Sequence, residues 1–295
     1  MDFDRRTVLA GGAALVVVAC KAAPVATPKF VASPELAALE QKAGGRLGAF
    51  ILDSATGNAI GHRADERFGH CSTFKLSLGA AALQLAEQGK VKLGDRIAYS
   101  RSDLLGNSPV TTENLSKGAM TVEALARAAQ VTSDNAAANL LMKHIGGPEA
   151  LNAFWRSLGD SVSRVDRYEP EMNFVGLGET RDTSSPRAMA HSMAKFLTGD
   201  TLSEKSRAKL IAWMVHTESG MKRIRAGLPA DWRAGDKTGT FNEKVNDLAI
   251  IWPPKRKPLI IAAYYEGTGK GEENRAADEA LLAEVGRIAA KSVVG

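Results

Sequence analysis

The sequence predicts a two-part fold, α/β plus all-α: an antiparallel sheet built from both ends of the chain and flanked by the terminal helices, with a helical domain inserted between its halves. Three observations carry this. β-rich runs occupy residues 47–62 and 247–265. Helix formers and helix caps dominate residues 72–215. The length of 295 residues suits one large domain or two intertwined ones. The expected boundaries are an export signal and linker over 1–28, an α/β domain from 29–62 and 216–295, and an all-α domain over 63–215.

The first 28 residues do not have the pattern of a folded segment. Asp4-Arg5-Arg6-Thr7-Val8-Leu9 resembles a twin-arginine export signal, with Asp4 and Val8 where Ser and Phe are usual. The apolar stretch 8–19 suits a signal h-region and is too short to span a bilayer. Val17-Val18-Ala19-Cys20 resembles a lipobox, which would place a membrane lipid anchor on Cys20; cleavage nearby by an ordinary signal peptidase is the alternative. Either route exports the protein, and the periplasm is the expected location. Residues 22–28, rich in Ala and Pro, form a linker. With Cys20 lipidated or removed, Cys71 has no partner, so no internal disulfide is expected.

After the linker, Ser33-Pro34-Glu35 opens a helix with a capping Ser, a first-turn Pro and an acid near the positive dipole end. Residues 47–52 and 59–62 flank Asp53-Ser54-Ala55-Thr56-Gly57-Asn58 and predict a hairpin. Helices are predicted over 72–88, closed by Gly89, then 121–129, 133–145 closed by Gly146-Gly147, 185–197 and 203–215. Strands return over 247–252 and 259–265, joined by the Pro-rich turn 253–258, and a helical period runs over 274–293.

Composition excludes several function classes. Apolar residues at 44% and charged residues at 24% are near the globular average, which rules out wholesale disorder and coiled coil. The net charge of +5 has no Lys/Arg block behind it and no nucleic-acid motif beside it, so no nucleic-acid partner is expected. His62, His70, His144, His191 and His216 never pair at the short spacings of zinc sites, so neither a metal nor a cofactor is expected. The chain is expected to be a monomer.

The chemistry starts at Ser72-Thr73-Phe74-Lys75. On a helix, positions i and i+3 share a face, so hydroxyl and amine can meet. A Ser at a helix N-terminus also lies beside unpaired N–H groups that stabilise a developing oxyanion. The tetrapeptide alone is weak, since a chain of this length holds about one Ser-x-x-Lys by chance. Ser192 with Lys195, Ser206 with Lys209 and Ser219 with Lys222 share the spacing and are expected on ordinary helix surfaces. Ser72 is distinguished by its company: Ser133-Asp134-Asn135 opens a predicted helix, and Lys237-Thr238-Gly239 stands just before the late strands. Each tripeptide would occur by chance in fewer than roughly one in ten such chains. Taken alone, the first is a helix cap and the second a turn before a strand. A fourth element, Arg167-Tyr168-Glu169-Pro170-Glu171-Met172-Asn173, lies in a stretch without clear period that runs to about Pro186.

On these four elements the sequence resembles the class A serine β-lactamases from about Ser33 to the C-terminus. The resemblance implies a five-stranded antiparallel sheet with an inserted helical domain, the serine β-lactamase/DD-peptidase-like fold, and hydrolysis of β-lactam antibiotics through a serine acyl-enzyme. The family's Glu-x-x-Leu-Asn pattern is present as Glu169 to Asn173 with Met172 for Leu, a volume-conserving swap. Glu169-Pro170 matches a bond that is cis in many members, and Arg167 and Asp182 match the pair that clamps the neck of the omega loop. By matching position, Ser72 is the nucleophile, and the N–H groups of Ser72 and Thr240 form the oxyanion hole. Lys75 contacts the nucleophile, and either Lys75 or Glu169 through a water takes its proton. Ser133, helped by Lys237, passes a proton to the leaving nitrogen. Glu169 and Asn173 hold the deacylating water. Asn135 positions the substrate amide, while Lys237, Thr238, Gly239 and Thr240 receive the substrate carboxylate.

Many members place an Arg on the strand after Lys-Thr-Gly, and residues 241–247 hold none. Arg223 matches the alternative source used by a subset, and its planar fork suits a carboxylate. Asn107 falls where many members carry an aromatic gate, and Phe241 where the residue is often small. Cys71 matches members whose active-site disulfide supports carbapenem hydrolysis, but its partner position is Phe241, so that bridge is not expected. Two rival readings share the motifs: a penicillin-binding DD-peptidase, which lacks the deacylating Glu, and a non-hydrolysing β-lactam sensor. Gly-x-Ser-x-Gly is absent, which argues against an esterase.

Overall fold

The computed structural model describes residues 28–269 and 275–294. The expected export signal and linker, including Cys20, lie outside the described residues apart from Pro28.

The elements run β1 (Phe30–Ala32), α1 (Pro34–Ala43), β2 (Arg46–Asp53), β3 (Ala59–His62), β4 (Phe68–Gly69), α2 (Phe74–Glu87), β5 (Arg96–Ala98), α3 (Pro109–Glu113), β6 (Ala119–Thr121) and α4 (Val122–Val131). There follow α5 (Asn135–His144), α6 (Gly147–Ser157), β7 (Thr183–Ser184), α7 (Pro186–Leu197), α8 (Glu204–Val215), β8 (Arg233–Phe241), β9 (Lys244–Trp252), β10 (Leu259–Glu266) and α9 (Arg275–Val294).

The main sheet has the order β1-β3-β2-β10-β9-β8. It corrects the expected five-stranded antiparallel sheet: there are six strands, and β1 runs parallel to β3. β1 is three residues wedged between the linker and the Ser33 cap, too short to show a period. It pairs because the incoming chain lies along β3, with Ala59 N donating to Lys29 O and Ser33 N to Gly61 O, both at 2.8 Å. Strands from opposite chain ends meet at the centre, where β2 and β10 pair from Arg46↔Glu266 to Asp53↔Leu259.

Side-chain alternation sorts this sheet into two cores. Phe50, Leu52, Leu248, Ile250, Ile260, Ala262 and Tyr264 face the inserted helices. Leu47, Ala49, Ile51, Val245, Ala249, Ile261 and Ala263 face Leu36 of α1 and Leu282, Val285 and Ala289 of α9. A strand buried on both faces shows no polar alternation, which is why β10 has the pattern of a continuous apolar run. α2 is buried almost throughout, from Phe74 to Leu83, and forms the axis of the helical layer.

The cap-based helix starts hold at Ser33, Thr121, Ser185 and Ser203, whose side chains each accept a backbone N–H from their own first turn. Two starts differ. Residues 71–73 form a 3-10 turn before α2 begins. The cap of α5 is Asp134, whose Oδ1 accepts from Ala137 N at 2.8 Å, and Ser133 precedes it at φ 58° in the left-handed region. Gly146-Gly147 closes α5 and also opens α6. Lys237-Thr238-Gly239 is not a turn before a strand but the interior of β8, where Gly239 pairs with Asn246. β8 is an edge strand whose Gly, Lys and Asp content hides its period.

Candidate active site

The site lies where the 3-10 turn at Ser72 meets the free edge of β8. Contact is tight: a Cβ on Gly239 would fall 2.8 Å from His70 O and 3.0 Å from Thr73 Cγ2, so only glycine admits this approach. Asn246 on β9 ties the same turn down, its Nδ2 donating to Gly69 O at 2.9 Å and His70 O at 3.1 Å. Ser72 remains half-buried, with its hydroxyl turned towards the omega loop.

Lys75, one turn along and fully buried, is the hub. Its Nζ lies 2.9 Å from Ser72 Oγ, 3.0 Å from Ser133 O, 3.5 Å from Ser133 Oγ and 3.1 Å from Glu169 Oε1, and it also donates to Asn135 Oδ1. Burial pulls the Lys75 amine below the usual lysine range, opposed by the Glu169 carboxylate beside it. Ser72 Oγ is 3.4 Å from Glu169 Oε1. Asn173 Nδ2 donates to the other carboxylate oxygen, Oε2, at 2.5 Å. The hydroxyl, the ammonium and the loop carboxylate therefore converge.

The omega loop holds Glu169 there. Its neck is closed by Arg167 Nε on Asp182 Oδ2 at 2.5 Å, while Asp182 Oδ1 accepts from Asp166 N at 2.7 Å and Arg167 N at 3.0 Å. The Glu169–Pro170 bond is cis and Met172 is fully buried. Asn139 of α5 brackets the Glu169 backbone, accepting from its N at 3.0 Å and donating to its O at 2.8 Å.

The opposite wall is β8. Lys237 Nζ lies 3.1 Å from Ser133 Oγ and 2.8 Å from Thr238 O. Burial, then the nearby Lys75 charge, holds the Lys237 amine well below its ordinary range. Arg223 is not an open fork. Its Nη1 donates to Gly239 O at 3.1 Å and Asn246 O at 2.8 Å, its Nη2 to Thr240 Oγ1 at 2.7 Å, and its Nε faces Glu279 Oε1 at 3.3 Å. Because Thr240 Oγ1 accepts from Arg223, its own O–H is left to donate into the site. Thr238 Oγ1 shares a hydrogen bond of 2.6 Å with Ser219 Oγ. Ser219 is thus in a loop against β8, not on the helix surface expected for it.

The rim comes from Asn107 and Asn135. Asn107 Nδ2 donates to Ser133 O at 2.9 Å, and Asn135 Nδ2 to Gly106 O at 2.7 Å. Phe241 meets Phe174 edge-on with ring centroids 4.9 Å apart, joining β8 to the omega loop. Cys71 is buried with a free thiol, and desolvation pushes it up to about 12. Cys71, Asn107, Ser133 and Asp182 all have positive φ, so backbone strain gathers around the site.

Sequence reasoning missed Asn139, Ser219 and Glu279, whose partners lie 30, 19 and 56 residues away. It also missed the Asp134 clasp, in which Thr111 N donates to Oδ2 at 2.9 Å. No local pattern marks any of them.

Residues 32–293 match the model of the β-lactamase enzyme family. The chain is 45% identical to β-lactamase L2 of Stenotrophomonas maltophilia over 262 residues, covering 88% of this chain and 85% of that one. It is 41% identical to the carbapenem-hydrolysing β-lactamase KPC of Klebsiella oxytoca over 93% of this chain and 95% of the relative. Among solved structures, a β-lactamase from Burkholderia vietnamiensis aligns with TM-score 0.85 at 45% identity over 88% and 96% of the two chains. An ancestral class A β-lactamase, GNCA, aligns at 0.84 and 49% over 88% and 99%. With the site geometry and these matches in hand, the chain belongs to the β-lactamase enzyme family, in its class A of serine enzymes.

Proposed function

We propose that the protein hydrolyses β-lactam antibiotics, and so confers resistance, through an acyl-enzyme on Ser72. The observation that carries this is the placement of Ser72 Oγ 2.9 Å from Lys75 Nζ and 3.4 Å from Glu169 Oε1, with Asn173 on the second carboxylate oxygen. Ser72 Oγ attacks the lactam carbonyl and its proton leaves to Glu169 through a water, or to Lys75 once that amine has passed its own proton to the adjacent Glu169 carboxylate. The oxygen that becomes anionic faces the N–H groups of Ser72 and Thr240; losing one such donor typically costs about 2.7–4 kcal/mol of barrier. As the C–N bond breaks, the nitrogen takes a proton from Ser133, which Lys75 and Lys237 both reach. A water then attacks the ester carbon, giving its proton to Glu169, and the tetrahedral intermediate collapses to a carboxylic acid as the C–Oγ bond breaks and Ser72 Oγ takes a proton from Lys75, which Glu169 restores. The substrate carboxylate is held by Thr238, Thr240 and Lys237, with Arg223 acting through the Thr240 hydroxyl. Asn135 and Asn107 border the substrate amide. The protein is exported, in keeping with its N-terminal pattern, with Cys20 as a candidate lipid anchor.

Glu169 separates this reading from a peptidase or a sensor that stays acylated. Intact-mass spectrometry after brief penicillin treatment is expected to show no lasting adduct on the wild type and a stable one on Glu169→Ala. General acid–base loss of this kind slows turnover by about 10²–10⁴-fold. A persistent wild-type adduct would favour the peptidase or sensor. Turnover of a chromogenic cephalosporin that survives Ser72→Ala would remove the serine mechanism altogether.

A further inference from the structure

We propose a second binding site, for small organic anions with an apolar body, in a pocket between the β5–β6 ladder, α3 and α4. The pocket has a volume of about 300 Å³, and none of its lining residues belongs to the site described above.

Three cations from three elements line it: Arg96 of β5, Lys117 of the turn after α3, and Arg127 of α4. No acidic residue does. Several other cations of the molecule are paired with carboxylates, as in Arg63 on Glu40, Arg187 on Asp65 and Arg225 on Asp236. None of these three cations has such a partner within ion-pair distance among the described residues. Arg96 donates to Ala119 O at 3.3 Å and Lys117 to Asn114 Oδ1, both neutral acceptors. Carboxylates close in sequence are engaged elsewhere: Asp95 accepts from Lys92 N, and Glu123 pairs with Lys209. Glu113 ends α3 but does not line the pocket.

Three like charges around one space repel each other, and an anion placed among them gains from all three. The lining also has an apolar part, with Val110, Met120 and Ala124. The Thr121 hydroxyl at the pocket's edge accepts from Ala124 N at 3.1 Å, which leaves its proton free to donate. At about 30 Å³ per water the volume equals roughly ten waters. That fits a carboxylate or phosphate head on a single ring or short chain.

Phenyl phosphate is a suitable probe, with inorganic phosphate as the head alone. In protein labelled with ¹³C at the methionine methyls, the Met120 resonance, assigned through Met120→Leu, is expected to shift saturably with phenyl phosphate. Binding should weaken as salt rises. Inorganic phosphate should bind more weakly. The double variant Arg96→Gln/Arg127→Gln should lose about tenfold or more in affinity, since charge-assisted bonds are the strong ones. Its cephalosporin turnover should equal that of the wild type, which shows that it folds. A Met120 signal that does not saturate, or a double variant that binds equally well, would overturn the site. Equal affinity for the two probes would overturn its apolar component.

Discussion

Lys75 and Lys237 approach the Ser133 hydroxyl from opposite walls of the active site, at 3.5 and 3.1 Å, and both are fully buried. On the helical wall, Lys75 has Glu169 at 3.1 Å. On the strand wall, Lys237 has Ser133 Oγ and a backbone carbonyl but no carboxylate at ion-pair distance among the described residues. A buried cation with a partner is set to exchange a proton within a balanced group, whereas a buried cation without one is set to receive an anion. In the proposed mechanism the two walls thus divide the labour: most of the proton transfer falls to α2 and the omega loop, and substrate charge, with support of Ser133, falls to β8.

The sharpest way to break that division is to remove each amine. Lys75→Ala should lower kcat/KM by about 10³-fold, within the range for general acid–base groups, with most of the loss in kcat. Lys237→Ala should cost about 10²-fold, with a larger share in KM, as expected for a lost charge-assisted bond. Steady-state kinetics on one cephalosporin would decide, and an equal kcat loss in both would merge the walls.

Stability should move the other way. The folded state holds the Lys237 amine below its ordinary 10.5, so folding penalises the charge. That penalty applies below the unfolded pKa and fades as pH rises towards it. Lys237→Met should therefore stabilise the fold at neutral pH by about 1–2 kcal/mol, the usual exchange of function for stability. The gain should shrink towards pH 10.5, as urea unfolding at several pH values would show. Lys75→Met should gain less, because it strands the Glu169 carboxylate.

The smallest kinetic effect is expected for Arg223→Ala. Its guanidinium reaches the site through Thr240, so the loss should be about tenfold, in KM, for substrates that carry the carboxylate. A comparable loss on a substrate analogue without that carboxylate would mean that Arg223 supports β8 rather than substrate binding.

What could be foreseen from sequence was whatever is encoded locally. Ser72 and Lys75 are three residues apart on one helical turn, and Glu169 and Asn173 four apart on one loop, so spacing alone implied contact. Ser33, Thr121, Ser185 and Ser203 marked helix starts because a cap is a local bond. β8 escaped because an edge strand facing an active site carries Lys, Thr and Gly rather than an apolar alternation. β1 escaped because three residues hold no period. Arg223 was located, but the bonds that occupy its fork come from β8, β9 and α9, which no window of sequence brings together.

Cys71 lies next to the nucleophile in sequence and has the chemistry of an inert atom. With its thiol pushed up to about 12, almost no thiolate exists at neutral pH, and the thiolate is the species that reacts. Alkylating reagents should leave Cys71 unmarked in the folded protein and label it only when the turn before α2 comes apart. Its labelling rate then becomes a clock for opening of the catalytic centre, readable by mass in the unmodified enzyme and expected to slow in Lys237→Met.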